Sequence, residues 1–136
     1  MPKMYRVMKR DGSRPQLGAQ GSMLGVRPNY DVTVDKNGFV HRREQGMSVG
    51  PSLAALPFFL IPERLSHLKP AAEGNNKSFV WSLGSGKFEN AEVAANLVLN
   101  VDTTDHGVVA PAAKMLLQDF QEALWATAPQ WIIDES

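Results

Sequence analysis

The sequence predicts a small domain of the α+β class, built from several short strands and one clear helix towards its C-terminal end. Its 136 residues match the usual size of one globular domain, about 100–150 residues, so we expect residues 1–136 to form a single domain. Apolar residues make up 43% of the chain and charged residues 21%, a balance that argues against disorder along its whole length. Alternating apolar and polar residues recur between turn signals, whereas one segment has helical periodicity.

The segments in which apolar and polar residues alternate are predicted to be strands. In chain order, strands are predicted at residues 4–9, 30–35, 39–42, 47–49, 79–83, 97–101 and 106–110. Asn37-Gly38 lies between the second and third of these, and because this pair favours tight hairpin turns we expect residues 30–42 to form a hairpin. Residues 11–22 are expected to form a loop, and the four prolines within 51–70 allow only short helical turns. Residues 89–95 favour a helix locally.

The clearest helix is predicted at residues 114–126. Its apolar positions follow helical spacing, with Pro111 suited to a first turn and Pro129 to a stop. Trp125 and Trp131 are expected to clamp this end of the chain onto the body of the domain. The apolar face of the helix consists of Leu116, Leu117, Phe120, Ala123 and Leu124.

Several classes of protein are excluded by composition. The chain has no cysteine, which excludes disulfides, thiol catalysis and zinc fingers, and its three histidines have no metal-ligand spacing. No apolar run reaches the ~18–20 residues of a membrane span, since the longest, residues 53–61, is interrupted by Pro57. The first residues lack the apolar stretch of a secretory signal peptide. We therefore expect no metal site and no membrane partner, and any export must use a route that needs no such signal.

The neutral net charge hides an asymmetry. Residues 1–68 contain ten Lys or Arg and five Asp or Glu, whereas residues 69–136 contain four and nine. All seven arginines lie at or before Arg64. Guanidinium groups gathered in one half can surround an anion such as phosphate, although a solvated basic face would give the same count.

Three residues on separate predicted strands could together hold a dinucleotide. Arg6 shares a strand face with Met4 and Met8, Ser48 lies between two glycines, and His106 opens a late strand. A dinucleotide needs a cation for its phosphates, a hydroxyl for its ribose and a group that fixes its reacting end. Each residue also has a structural interpretation: Arg6 can form a structural salt bridge, the glycines around Ser48 can simply shape a bend, and a lone strand-end histidine is often structural.

Other candidate groups are weaker. His41, Asp105 and Glu44 are further possible acid–base groups. Residues 84–87, Gly-Ser-Gly-Lys, contain a fragment of a phosphate loop but lack its full spacing, so we interpret them as a flexible hinge.

Four stretches resemble one known family. They are Tyr5-Arg6, the extended piece 31–38 ending in a turn, Gly46-Met47-Ser48-Val49, and residues 106–112 followed by a helix that closes on Trp131. Together they are similar, in the same order, to the small cytoplasm-acting toxins exported by the type VI secretion system whose fold is that of ADP-ribosyltransferases. The resemblance implies a split, strongly curved β-sandwich with a C-terminal helix, enclosing a cleft for NAD as substrate.

The resemblance also implies roles for residues. Arg6, Ser48 and His106 would be the catalytic residues, and Arg6, Tyr5 and Ser48 would contact the NAD. One departure is the absence of a Glu-x-Glu motif on a plausible third strand, since the related transferases use such a glutamate at the ribose. Asp105 is expected to point to the opposite strand face from His106. Asp31 or Glu44 is then the candidate acid, unless the chemistry differs from transfer.

The expected function is that of a toxin effector. It would transfer ADP-ribose from NAD to an acceptor that the sequence does not identify, or hydrolyse NAD. The implied partners are a small immunity protein and a component of the secretion apparatus, while nucleic acid is not an expected partner. Such a protein is cytoplasmic in the producing cell and passes, without a signal peptide, into the cytoplasm of the target cell. Two alternatives stay open: a non-enzymatic binding domain, and a ribonuclease-like toxin with His41 and His106 as acid and base.

Overall fold

The computed structural model describes residues 1–42 and 45–136. In this part of the chain the strands pair antiparallel and a nine-residue helix, α1 (Leu117–Trp125), lies near the C-terminal end. The predicted α+β class is therefore confirmed. The strands are β1 (Met4–Asp11), β2 (Arg14–Pro15), β3 (Phe39–Val40), β4 (Met47–Val49), β5 (Ser78–Leu83), β6 (Ala91–Ala94), β7 (Leu97–Thr103), β8 (His106–Pro111), β9 (Met115–Leu116) and β10 (Ile132–Ile133).

Two four-stranded sheets meet at one backbone pair. One sheet has the order β10-β5-β1-β2 and the other β4-β8-β7-β6, while β3 and β9 form a separate two-stranded pair. Tyr5 in β1 and Gly50 after β4 exchange two backbone hydrogen bonds, with N···O distances of 2.8 and 3.0 Å. This pair links β1 of the first sheet to the residue that follows β4, the edge strand of the second sheet.

Strand β1 is buried on both faces. Its even positions, Met4 and Met8, enter the main core, where the indole Nε1 of Trp81 donates to the carbonyl of Met8 at 2.9 Å. Its odd positions, Tyr5 and Val7, enter a second core cluster. That cluster is covered by apolar side chains of the segment that follows β4, Leu53, Leu56, Ile61, Leu65 and Ala72.

The helix is shorter than predicted. Pro111 ends β8 instead of opening a helix, and Met115–Leu116 pairs with β3 as β9, so α1 begins at Leu117. The prediction for its end is confirmed, because α1 stops at Trp125, before Pro129. The predicted packing of the two tryptophans on the body of the domain is also confirmed. The Trp125 indole donates to the carbonyl of Leu24 at 2.9 Å, and Trp131 is buried in the main core.

Two other predictions were wrong. Residues 30–35 form turns and irregular backbone, because Asp35 accepts hydrogen bonds from the backbone N–H groups of Asn37 and Phe39 and so closes a tight turn in place of a hairpin ladder. The predicted helix at 89–95 is strand β6, which pairs with β7 through a turn at Asn96 (φ 68°) and buries Val93. Tertiary pairing overrides local helix propensity there.

The segment between β4 and β5 matches its prediction of short turns, with a 3-10 helix at Glu63–Leu65. None of the helices in the described ranges has the length and apolar character needed to cross a bilayer.

Candidate functional site

A cavity of about 490 Å³ lies beside the junction of the two sheets. Arg6 of β1, Ser48 of β4 and His106 at the start of β8 all line it. The structure thus brings the three predicted catalytic residues together, while their chemical roles stay predictions. The rest of the lining comes from the loop before β3 (Gly21, Arg27, Asp31), the turn before β8 (Asp105), Val7, Val49 and the segment after β4 (Ala55, Leu56, Pro57, Phe59, Leu60).

Arg6 is almost completely buried and ties three segments together. Its Nη1 donates to the Ser48 carbonyl at 2.9 Å, and its Nη2 donates to the Gly21 and Met23 carbonyls at 3.1 and 3.0 Å. Its Nε also reaches the Met23 carbonyl, at 3.3 Å. An arginine can share a core-facing strand side with methionines here because these backbone oxygens satisfy its donors.

The charge of Arg6 has no carboxylate partner among residues 1–42 and 45–136. Burial lowers its pKa to about 10, Asp31 opposes that change, and Arg27 adds to it. Four of its five N–H groups are used by neutral carbonyls, which leaves one on Nη1. A buried positive charge whose hydrogen bonds all go to neutral carbonyls favours an anion in the adjoining cavity.

Arg27 neutralises Asp31, one of the candidate acids. The guanidinium donates to both carboxylate oxygens at 3.2 and 3.1 Å, and the Arg27 backbone N–H donates to the same group at 2.7 Å. The hydrogen bond to Asp31 raises the pKa of Arg27. Sequence reasoning missed Arg27, although its i,i+4 spacing to Asp31 was a usable signal. The other candidate acid, Glu44, lies outside the described residues.

His106 is paired with Asp102, which sequence reasoning also missed. The ring Nδ1 lies 2.8 and 2.9 Å from the two carboxylate oxygens of Asp102, across the turn between β7 and β8. Burial alone would raise the pKa of Asp102, but the hydrogen bond with His106 and its charge outweigh burial and lower that pKa. The spacing of four residues across a predicted turn was the available signal.

Asp105 also lines the cavity, contrary to the expectation that strand alternation turns it away from His106. The reason is that Asp105 lies in the turn between β7 and β8, where strand alternation does not apply.

Tyr5 is not among the residues that line the cavity, and its contact with NAD stays a prediction. It is the strand neighbour of Arg6 and therefore points to the other face of β1, into the second core cluster. Lys3 lies over its ring, with Nζ 5.3 Å from the ring centroid.

The two glycine features of the sequence serve packing. A Cβ on Gly46 would lie 2.0 Å from the carbonyl oxygen of Val109, so Gly46 allows β4 to approach β8 closely. A Cβ on Gly84 would lie 2.0 Å from the carbonyl oxygen of Pro2, where residues 84–86 pack on the start of the chain. Both stretches therefore have a structural role, but residues 84–86 are hydrogen-bonded to the start of the chain and are not the flexible hinge that was predicted.

His41 does not share a cavity with His106. It lines a separate cavity of about 80 Å³, and its Nε2 lies 2.8 Å from the carboxylate of Asp35. This separation removes the shared phosphate that the two-histidine ribonuclease alternative needs.

The hydrogen bonds of Asp35 predict a loss of stability in acid. The backbone hydrogen bond from Phe39, followed by the hydrogen bond with His41, lowers the pKa of Asp35 to about 2. A lowered carboxyl pKa adds stability that is complete above its unfolded value of about 3.9 and is lost as the pH falls towards 2. We expect the urea midpoint of the wild type to fall between pH 5 and pH 2 more steeply than that of Asp35→Asn. Parallel curves would show that this carboxylate does not couple to folding.

No group of three or more metal-ligating side chains occurs in the described ranges. Comparison with protein-family models, with curated protein sequences and with solved structures finds no match to this chain.

Proposed function

We propose that this chain is an ADP-ribosyltransferase-like toxin effector that takes NAD as substrate in the cavity beside the sheet junction. The observation that carries the proposal is the convergence of Arg6, Ser48 and His106, which come from three strands far apart in the sequence. The resemblance of the sequence assigned roles to these three residues independently of their positions in space.

The arrangement of the sheets supports the same proposal. Two antiparallel sheets meet at the Tyr5–Gly50 pair, and the cavity lies beside that junction. A split β-sandwich of the ADP-ribosyltransferase kind would hold its substrate between diverging sheets. We therefore propose this fold for the domain.

The chemistry of the cavity fits a dinucleotide. The buried Arg6 guanidinium, which forms no ion pair within the described residues, supplies a positive charge for a pyrophosphate. Leu56, Pro57 and Phe59 supply an apolar wall for a planar ring. The volume of about 490 Å³ lies within the ~300–1,000 Å³ of small-molecule sites.

In the proposed reaction the bond between nicotinamide and the ribose carbon breaks, and nicotinamide leaves with the electron pair as a neutral base. The acceptor, or water, then bonds to that carbon. A carboxylate is needed near the positive charge that develops on the ribose. Because Arg27 neutralises Asp31, the remaining carboxylate of the described lining is that of Asp105, and we assign it this role.

The biological setting that we propose follows from the resemblance. The protein would be delivered by a type VI apparatus into the cytoplasm of a target cell, and a small immunity protein would protect the producer. A partner of this kind can inactivate the protein by covering the mouth of the cavity, where Phe59 and Leu60 are exposed.

Expression in bacteria tests the proposal. We expect the wild type to kill the host and His106→Gln to restore survival, because loss of an acid–base group lowers the reaction rate by about 100-fold or more. The matched control is His41→Gln, which also loses an aspartate-paired histidine but outside the cavity, and it should still kill. Extracts of the killed cells should release nicotinamide from labelled NAD. Normal growth with wild-type protein present in the soluble fraction would refute the toxin proposal.

A second candidate is a non-enzymatic binding domain. It is favoured by the four hydrogen bonds that join Arg6 to backbone carbonyls, because they give this arginine a structural role. Harmless expression, with no nicotinamide released, is the result that this candidate predicts.

A further inference from the structure

The His106–Asp102 pair has the geometry that fixes one form of an imidazole. Both carboxylate oxygens of Asp102 lie within 2.9 Å of Nδ1, so this nitrogen carries the proton of the neutral ring. No residue in ranges 1–42 and 45–136 hydrogen-bonds to Nε2. His106 lines the cavity, whereas Asp102 does not.

We propose that Asp102 is a positioning residue that holds His106 so that its Nε2 accepts the proton lost by the attacking acceptor. This inference rests on the proposed function, since it assigns a proton acceptor to that same cavity. Asp102 acts through the ring of His106 and has no contact with the substrate.

The proton balance of the reaction requires such a group. When an O–H or N–H of the acceptor bonds to the ribose carbon, its proton must leave, while the nicotinamide departs neutral and takes none. Nε2 receives that proton, the ring becomes an imidazolium, and the carboxylate of Asp102 stabilises the new charge through Nδ1–H. Bulk water removes the proton afterwards and restores the neutral ring.

The other charged groups at the cavity are less suited to accept this proton. Arg6 and Arg27 are cations, and Asp31 is held by Arg27. Asp105, in the turn beside His106, is the carboxylate assigned to the ribose charge.

The pair also defines the class of acceptor. A carboxylate acceptor carries no proton on its attacking oxygen and needs no base. A base at this position is useful when the acceptor is water, a hydroxyl or an N–H group. We therefore expect free ADP-ribose, or ADP-ribose attached to such a group, and not to an aspartate or glutamate side chain.

The test compares Asp102→Asn with Asp35→Asn in the full chain. Asp35 makes an equally short hydrogen bond to the other paired histidine, outside the cavity, and is the matched control. We expect Asp102→Asn to lower kcat for nicotinamide release at least about tenfold with KM unchanged, because Asp102 does not touch the substrate. Asp35→Asn should leave kcat and KM as in the wild type.

A second measurement does not depend on activity. ¹⁵N NMR of the wild type above neutral pH should show His106 with its proton on Nδ1, and Asp102→Asn should lose that preference. An Nε2–H form in the wild type would overturn the inference.

The kinetic outcomes separate the two proposals. Wild-type cleavage of NAD with an unchanged kcat in Asp102→Asn would overturn this inference alone. A wild type that cleaves no NAD would overturn the proposed function and the role of the pair with it. Peptide mapping that finds ADP-ribose on an acidic side chain would overturn the assignment of a proton acceptor.

Discussion

Replacing Arg6 by alanine is expected to lower the free energy of unfolding by about 3 kcal/mol or more. The substitution removes the hydrogen bonds from the guanidinium to the partly buried carbonyls of Gly21, Met23 and Ser48, and a hydrogen bond to a charged group contributes about 1.5–3 kcal/mol. The removal of a buried charge offsets part of this loss, because burial already disfavours the charged form of Arg6. Urea denaturation followed by tryptophan fluorescence measures the change.

Two variants serve as controls for this prediction. Arg27→Ala removes a half-exposed arginine of the same cavity that pairs with one carboxylate, so it should cost no more than about 1 kcal/mol. Arg6→Met fills the space between Met4 and Met8 but has no hydrogen-bond donors. Its free energy of unfolding should therefore lie between those of Arg6→Ala and the wild type. A loss below about 1 kcal/mol in Arg6→Ala would show that water replaces the guanidinium at these carbonyls.

The double position of Arg6 affects how its variants are interpreted. It lines the cavity and also holds the loop at Gly21–Met23 and strand β4 on strand β1. Loss of toxicity in Arg6→Ala would therefore follow either from a lost anion site or from a loosened cavity wall. Variants of His106, whose side chain is 42% exposed, report on chemistry with less effect on the fold.

Strand positions with a simple pattern were predictable from sequence. The alternation of residues 4–9 gave β1, and the short apolar runs gave β4, β5, β7 and β8. These segments are stabilised by burial of the side chains that form the pattern, so the pattern and the structure have one cause. The α+β class followed from the same observations.

The secondary-structure predictions were wrong where a side chain or a distant strand determines the backbone conformation. Residues 30–35 alternate like a strand, but the carboxylate of Asp35 takes the N–H groups that a hairpin partner would need. Met115–Leu116 has helical spacing, but its backbone pairs with β3, more than 70 residues earlier in the chain. Local periodicity contains no information on such long-range partners.

The candidate site also contains residues that were predictable from sequence and residues that were not. Arg6, Ser48 and His106 could be named from sequence because each opens or occupies a recognisable strand. Tyr5 is the strand neighbour of Arg6, but its side chain packs in the second core cluster and it does not line the cavity. Arg27 and Asp102 were missed because their importance depends on which wall of the cavity their loops reach.

Filling the cavity is expected to abolish NAD binding without unfolding the domain. Ala55 lines the cavity at the end of a turn in which its backbone N–H donates to the side-chain oxygen of Ser52. In Ala55→Trp the indole can occupy the space beside Val7 and Leu56, so no room is left for a planar ring of the ligand. The wild type with NAD at 100 times Kd should gain about 2.7 kcal/mol of stability, seen as a higher Tm, and Ala55→Trp should gain none.

The neighbouring Ala54 provides the matched control, because it is exposed and is not part of the cavity lining. Ala54→Trp adds the same side chain one residue away and should keep the full increase in Tm with NAD. Because neither substitution touches Arg6, the pair tests where the ligand binds separately from what holds the loops together. Equal increases in Tm for both variants would mean that NAD binds elsewhere on the molecule, and the convergence of Arg6, Ser48 and His106 would lose its functional meaning.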